Sequence, residues 1–169
     1  MLFGWAEWVT IRRQRKKRRS ASLRGCGVGA GEIARVAGQV AFGAFMLAAG
    51  VAHFRQPTRE GFQTAVPDWL PADKDAVVVA SGAIELALGA ALLATWKQPA
   101  RAWVGSATAA FLVGVLPGNV WMYTARKSVP GFDTDAKRLA RLPMQVPLIL
   151  GALAATDAIR TLLRAPADS

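Results

Sequence analysis

The stretch AVVVASGAIELALGAALLATW, Ala76–Trp96, decides the class of fold. It runs for 21 residues and contains one charged side chain, that of Glu85. At about 1.5 Å per residue, a helix of this length crosses the roughly 30 Å hydrocarbon core of a lipid bilayer. Soluble domains seldom contain such a long apolar run, so the chain is predicted to be an integral membrane protein.

Three further apolar stretches lie on either side of the first. Residues 33–52 and 102–123 are each about 20 residues long and nearly free of charge, as membrane spans require. Residues 142–163 form a weaker fourth stretch, interrupted near its end by Asp157 and Arg160, whose i, i+3 spacing lets them pair near the interface. The sequence therefore predicts an all-α, polytopic four-helix bundle in the membrane.

The net charge of +10 is concentrated in a basic N-terminal extension, residues 1–31, ahead of a membrane domain predicted for residues 32–165. Eight of the 21 basic residues lie between Arg12 and Arg24 without an acid, and the rest of the chain has 13 basic against 11 acidic residues. The extension is predicted to be disordered or to rest on anionic lipid headgroups, which makes the bilayer its expected partner rather than nucleic acid. A nucleic-acid-binding tail and a misassigned start codon are the alternatives.

The basic extension also predicts orientation, because basic residues beside membrane spans favour the cytoplasmic side. Four spans then place both termini in the cytoplasm. We expect a multi-pass protein of the bacterial inner membrane.

The chain contains one cysteine, Cys26, and one histidine, His53. One copy therefore cannot form an intrachain disulfide, a paired-cysteine redox motif or a multi-histidine haem or zinc site. We expect no metal and no intrinsic cofactor, and a chain that cannot carry electrons by itself. Any redox role needs a bound carrier, such as a quinone, or a redox partner protein, and an autonomous enzyme is not expected.

Glu85 is the most informative residue, because a carboxylate near the middle of an apolar span is costly to bury, by about 3 kcal/mol on translocon scales. Protonation or a hydrogen bond from another helix would reduce that cost. The predicted topology offers His53 at the end of the first span, Asn119 in the third and Gln145 in the fourth as partners. Glu85 lies about 14 Å below the outer end of its helix, so it is predicted to form the floor of a polar pocket. The alternative is that these groups only hydrogen-bond helix to helix.

Two proline-rich features lie close to this predicted pocket. The loop from Phe54 to Lys74 contains Pro67, Trp69 and Pro71 and is predicted to form a stiff lid on the membrane interface, with Trp69 among the headgroups. In the third span Pro117, followed by a glycine, predicts a break that aims Asn119 inward, although proline is also tolerated near the end of a membrane helix.

Five motifs together resemble the DoxX-like family of small four-helix bacterial membrane proteins. They occur in the expected order between Phe45 and Ala155: GVAHFRQP, VPDWLP, SGAIELALGAALL, LPGNVWMY and RLPMQVPLI. The resemblance implies a four-helix membrane bundle. Some members of that family are associated with quinone-linked oxidoreductases or with thiol and oxidative-stress systems, so the resemblance does not imply one reaction.

Two functions from different classes fit these observations. In the first, the bundle binds a small amphipathic molecule, a quinone-type carrier above all, as an accessory subunit of a redox system, with Glu85 exchanging a proton. In the second, it is a structural or assembly subunit without chemistry, alone or as a homo-oligomer. A small-solute transporter is a third alternative, although the sequence contains no persuasive inverted repeat.

Overall fold

The chain folds into helices throughout the part that the structure describes. The computed structural model describes residues 29–129 and 131–164, and its helices are α1 (Ala30–Ala52), α2 (Thr58–Gln63), α3 (Lys74–Ala94), α4 (Ala100–Gly114), α5 (Leu116–Thr124), α6 (Asp135–Ala155) and α7 (Ala158–Arg164). These residues contain no β-strand, only an isolated bridge between Val129 and Phe132. The all-α class is confirmed for this part of the chain. Residues 1–28, which make up most of the predicted basic extension, lie outside the described residues.

Three helical segments are long and apolar enough to cross a membrane. They are α1, α3 and the α4–α5 segment Ala100–Thr124, with 23, 21 and 25 residues. The predicted spans 33–52, 76–96 and 102–123 fall on these segments. Helices α6 and α7 add a fourth candidate span if the bent pair is counted as one.

Helices α1 and α3 pack against each other through glycines. A Cβ atom added to Gly89 would lie 2.9 Å from the carbonyl oxygen of Gly43, and one added to Gly50 would lie 2.9 Å from that of Gly82. On each helix the two glycines are one heptad apart and therefore share a face. Without side chains at these positions the two backbones touch, the close approach that small residues allow between membrane helices.

At the end of the bundle where α3 and α6 end, buried polar side chains donate hydrogen bonds to the last carbonyl groups of these helices. Gln39 donates from Nε2 to the carbonyl oxygens of Leu92, at 2.7 Å, and Thr95, at 2.8 Å, where α3 ends. Arg101 donates from Nη2 to the carbonyl oxygen of Ala155, at 2.6 Å, where α6 ends. The last carbonyls of a helix have no donor within the helix, so these bonds satisfy groups that would be costly in apolar surroundings.

The third predicted span is broken. Helix α4 ends at Gly114 and α5 begins at Leu116, with Val115 between them at φ −87° and ψ −6°. Pro117 lacks a backbone N–H, so the carbonyl of Val113 loses its helical donor at this point. The break expected from Pro117 is present.

The fourth helix differs from the predicted span of residues 142–163. Helix α6 begins at Asp135, where the side chain of Thr134 caps it by accepting from the backbone N–H of Lys137 at 3.3 Å. It ends at Ala155, and α7 continues at an angle of 56°. The turn between them contains Asp157 at φ +54°, a left-handed conformation that a helix cannot continue. The polar first turns were missed because hydropathy alone set the predicted boundary.

Candidate functional site

A cavity of about 430 Å³ lies at the end of the bundle where α1 ends and α3 begins. This volume is within the range of roughly 300 to 1,000 Å³ that is usual for small-molecule sites. All the membrane-length helices and the α1–α3 loop contribute to its wall. Its polar lining residues are His53, Ser81, Glu85, Asn119, Arg141 and Gln145. The structure thus brings the four predicted site residues to one cavity; what they bind stays a prediction.

His53 and Glu85 form the polar wall on the α1–α3 side. Nδ1 of His53 lies 3.1 Å from Oε2 of Glu85, and each side chain is only 13% exposed. The glycine crossing creates this proximity, because a Cβ atom on Gly82 would lie 2.5 Å from the Cβ atom of His53. The structure therefore places His53, one of the partners that the predicted topology offers, beside Glu85.

The hydrogen bonds of His53 define its tautomer. Nδ1 lies 2.9 Å from the carbonyl oxygen of Ala49, which can only accept a hydrogen bond, so Nδ1 carries a proton and donates it there. That proton is not aligned with Glu85, whose buried Oε2 has no hydrogen-bond partner among the described residues. Phe62 stacks on the imidazole with ring centroids 4.4 Å apart. His53 and Glu85 are thus in close contact, and Oε2 of Glu85 remains available for a further hydrogen bond.

Asn119 lines the cavity from α5 and Gln145 lines it from α6. They differ in whether the side-chain amide has a hydrogen bond. Gln145 donates from Nε2 to the carbonyl oxygen of Leu112 at 2.7 Å, so its amide supports the end of α4. Asn119 is 7% exposed, lines the cavity and has no side-chain hydrogen bond to any residue that the structure describes. An amide buried in this way normally has a partner. Asn119 is consequently the group on this side that is free to bind a ligand.

The predicted lid only partly covers the cavity. Pro67 and Trp69 line it, but Pro71 is not among the lining residues, and Trp69 is 64% exposed. Helix α2 is part of the same loop and brings Phe62 over His53. The loop therefore contributes a helix to the site as well as a stiff proline-rich segment.

Polar contacts tie α2 to the start of α3. Arg59 donates to Asp75 with both Nε, at 2.7 Å, and Nη2, and Gln63 donates to the same carboxylate at 2.7 Å. Further along the loop, Lys74 pairs with Asp68, and its ammonium holds the pKa of the Asp68 carboxyl below the ordinary value. That contact is complete at neutral pH and is lost only as the pH falls into the acid range.

A family described as Domain of unknown function (DUF8561) matches residues 42–156. The chain belongs to this family. The matched segment contains the entire cavity wall, from Phe45 to Leu148, and begins after the basic extension. No curated protein and no solved structure matches the chain.

Two polar residues of the DUF8561 domain line the cavity without having been predicted as site residues. Ser81 lies one turn before Glu85 on α3. Arg141 lies one turn before Gln145 on α6, and its guanidinium carbon is 4.5 Å from the centroid of the Phe132 ring. In both cases the i, i+4 spacing from a predicted residue was the available signal, because such residues share a helix face.

Proposed function

We propose that this chain is a DoxX-like protein of the bacterial inner membrane that binds the head of a quinone-type electron carrier as an accessory subunit of a redox system. The apolar α1, α3 and α4–α5 segments support insertion into the bilayer. The proposed orientation has both termini in the cytoplasm and the lid outside, following the basic residues between Arg12 and Arg24.

The unpartnered amide of Asn119 carries the proposal. It is nine-tenths buried and faces a cavity whose other polar wall holds His53 and Glu85. A quinone ring has two carbonyl oxygens, each of which accepts a hydrogen bond. Asn119 donates to one of them, and the His53–Glu85 wall serves the other. The apolar remainder of the lining, such as Met46 and Leu148, suits the ring between them.

The His53–Glu85 contact supplies the proton chemistry in this proposal. In this proposal Glu85 exchanges the proton, because its Oε2 has no hydrogen-bond partner among the described residues, whereas Nδ1 of His53 already donates to the carbonyl oxygen of Ala49. Reduction of a quinone to the hydroquinone takes up two electrons and two protons. Glu85 delivers one proton to the carbonyl oxygen on its side, the second proton comes from water, and both electrons come from a redox partner protein.

Binding of decylubiquinone to the purified protein in mild detergent tests this function. Quenching of tryptophan fluorescence reports binding, since Trp69 lines the cavity. We expect Asn119→Leu to weaken binding about tenfold through loss of a buried hydrogen bond, with the protein still folded. Gln39→Leu is the matched control, because Gln39 is equally buried but bonded to the opposite end of α3. Equal affinity in wild type and Asn119→Leu would refute the proposed site.

The Glu85→Gln variant distinguishes a proton-exchanging role of Glu85 from a purely structural one. Glutamine keeps the shape and much of the hydrogen bonding of glutamate but cannot ionise. We expect this variant to stay inserted and within about 1 kcal/mol of wild-type stability, while it loses binding of decylubiquinone. The proposal fails if Glu85→Gln retains full activity in cells while Glu85→Leu unfolds.

A structural or assembly subunit is the second candidate, and specific contacts favour it. Gln39, Arg101 and Gln145 all donate to backbone carbonyls at helix ends or at the break, which is how polar groups hold a membrane bundle together. Under this alternative, no quinone would bind to the wild-type protein.

A further inference from the structure

A second, apolar groove of about 450 Å³ runs along the outside of the broken α4–α5 segment. Six of its residues are spaced by three or four along the chain: Val113, Leu116, Pro117, Val120, Trp121 and Thr124. That spacing places them on one face of the segment, over a length of about 16 Å. Val113 is 52% exposed and Val120 is 41% exposed, so this face points away from the bundle.

The groove and the polar cavity share two residues, Trp69 and Pro117. Trp69 belongs to the lid loop and Pro117 to the helix break, so the two spaces meet where the lid crosses the break. Gly114, at the same break, lines the cavity, and a Cβ atom added there would meet no atom within 4 Å. The wall of the bundle is therefore thin at this place.

We propose that the cavity opens sideways here and that its ligand carries a long apolar chain, which leaves between Trp69 and Pro117 and lies in the groove. The inference rests on the proposed function, and it adds the class of quinone: a lipid-phase quinone with an isoprenoid or alkyl chain, not a water-soluble one. The polar ring occupies the cavity beside Asn119, while the chain lies against residues that face the hydrocarbon.

The two spaces adjoin, since Trp69 and Pro117 line both, and this supports the proposed occupant over a bound protein segment. An adjoining polar cavity and apolar groove match one molecule with a polar head and an apolar chain. The polar groups among the groove residues are the hydroxyl of Thr124 and the indole N–H groups of Trp69 and Trp121. The Thr124 hydroxyl donates to the carbonyl of Val120 at 3.0 Å, and the groove contains no charged side chain among the described residues, so its lining suits an apolar chain.

Photolabelling of the full-length protein in liposomes tests the route of the chain. The probe is a decyl quinone with a diazirine at the end of its chain, and labelled residues are mapped by peptide mass spectrometry. We expect labelling of residues 113–124 and of Trp69. Val120→Trp should reduce that labelling about fivefold by filling the groove. Val40→Trp is the matched control, since Val40 is 42% exposed on another helix, and it should label as wild type does.

Two further measurements make the outcomes distinct. Unlabelled decylubiquinone should suppress the labelling and excess phospholipid should not; suppression by both would mean an ordinary lipid contact and would overturn the inference. The quinone ring without its chain should bind wild type and Val120→Trp equally. If that ring binds but the probe labels other helices, this inference alone fails. If neither the ring nor the probe binds, the proposed function fails as well.

Discussion

Gly89→Ala tests the helix crossing that brings His53 to Glu85. The added Cβ atom would lie 2.9 Å from the carbonyl oxygen of Gly43 and 2.9 Å from the backbone nitrogen of Leu47. Both are backbone atoms, so no side-chain rotation relieves the overlap and α1 must move away from α3. Overpacking of this kind costs about 1 to 3 kcal/mol, and alanine recovers up to about 1 kcal/mol of helix propensity. We expect a net loss of up to about 2 kcal/mol in unfolding free energy.

Gly114→Ala is the matched control for that variant. Gly114 is also helical, but a Cβ atom there would meet no atom within 4 Å, so we expect unchanged or slightly higher stability. Thermal unfolding followed by circular dichroism in one detergent compares the two variants. Gly89→Ala should also weaken decylubiquinone binding, because separation of the helices moves His53 from Glu85. If Gly89→Ala is as stable as Gly114→Ala, the close crossing of α1 and α3 is refuted.

Two further predictions concern topology and the lid. In a cysteine-free background, Glu60→Cys should react with a membrane-impermeant maleimide in intact cells and Lys97→Cys should not; the reverse pattern would invert the proposed orientation. Arg59→Ala removes the double hydrogen bond to Asp75, so α2 should loosen and the affinity for decylubiquinone should fall a few-fold. Lys74→Ala removes only an exposed ion pair of the same loop and should leave the affinity unchanged, and an equal fall in both variants would contradict a specific role for α2.

The fold was largely predictable because apolar length is a strong signal in membrane-type sequences. The runs 33–52, 76–96 and 102–123 coincide with α1, α3 and the α4–α5 segment, and Pro117 indicated the break. Helix α6 was harder. Its first turns are polar, and their stability comes from tertiary contacts such as the 2.8 Å hydrogen bond from Arg138 to the hydroxyl of Ser128. Hydropathy cannot detect a helix end that such contacts hold in place.

The site was predictable as a set of residues but not as an arrangement. Glu85 drew attention because an acid is expensive in an apolar span, and three candidate partners followed from topology. The choice among them depends on where α1 and α3 cross, which Gly50 and Gly82 determine through backbone contact. Whether an amide bonds a carbonyl, as Gln145 does, or stays open, as Asn119 does, depends on a helix break whose geometry cannot be read from spacing.

The distribution of polar groups argues for a site over a scaffold. A polar side chain in an apolar bundle costs free energy unless it is bonded. At the α3–α4 end, Nε2 of Gln39 and Nη2 of Arg101 donate to helix-end carbonyls, although the buried Oε1 of Gln39 has no partner among the described residues. At the lid end, Asn119 lines a 430 Å³ cavity and has no side-chain hydrogen bond to any described residue, and Oε2 of Glu85, which lines the same cavity, also has none. A bundle built for stability alone would be better served by leucine at position 119. The open amide and the acid that line this cavity therefore favour the proposed ligand site over a purely structural role.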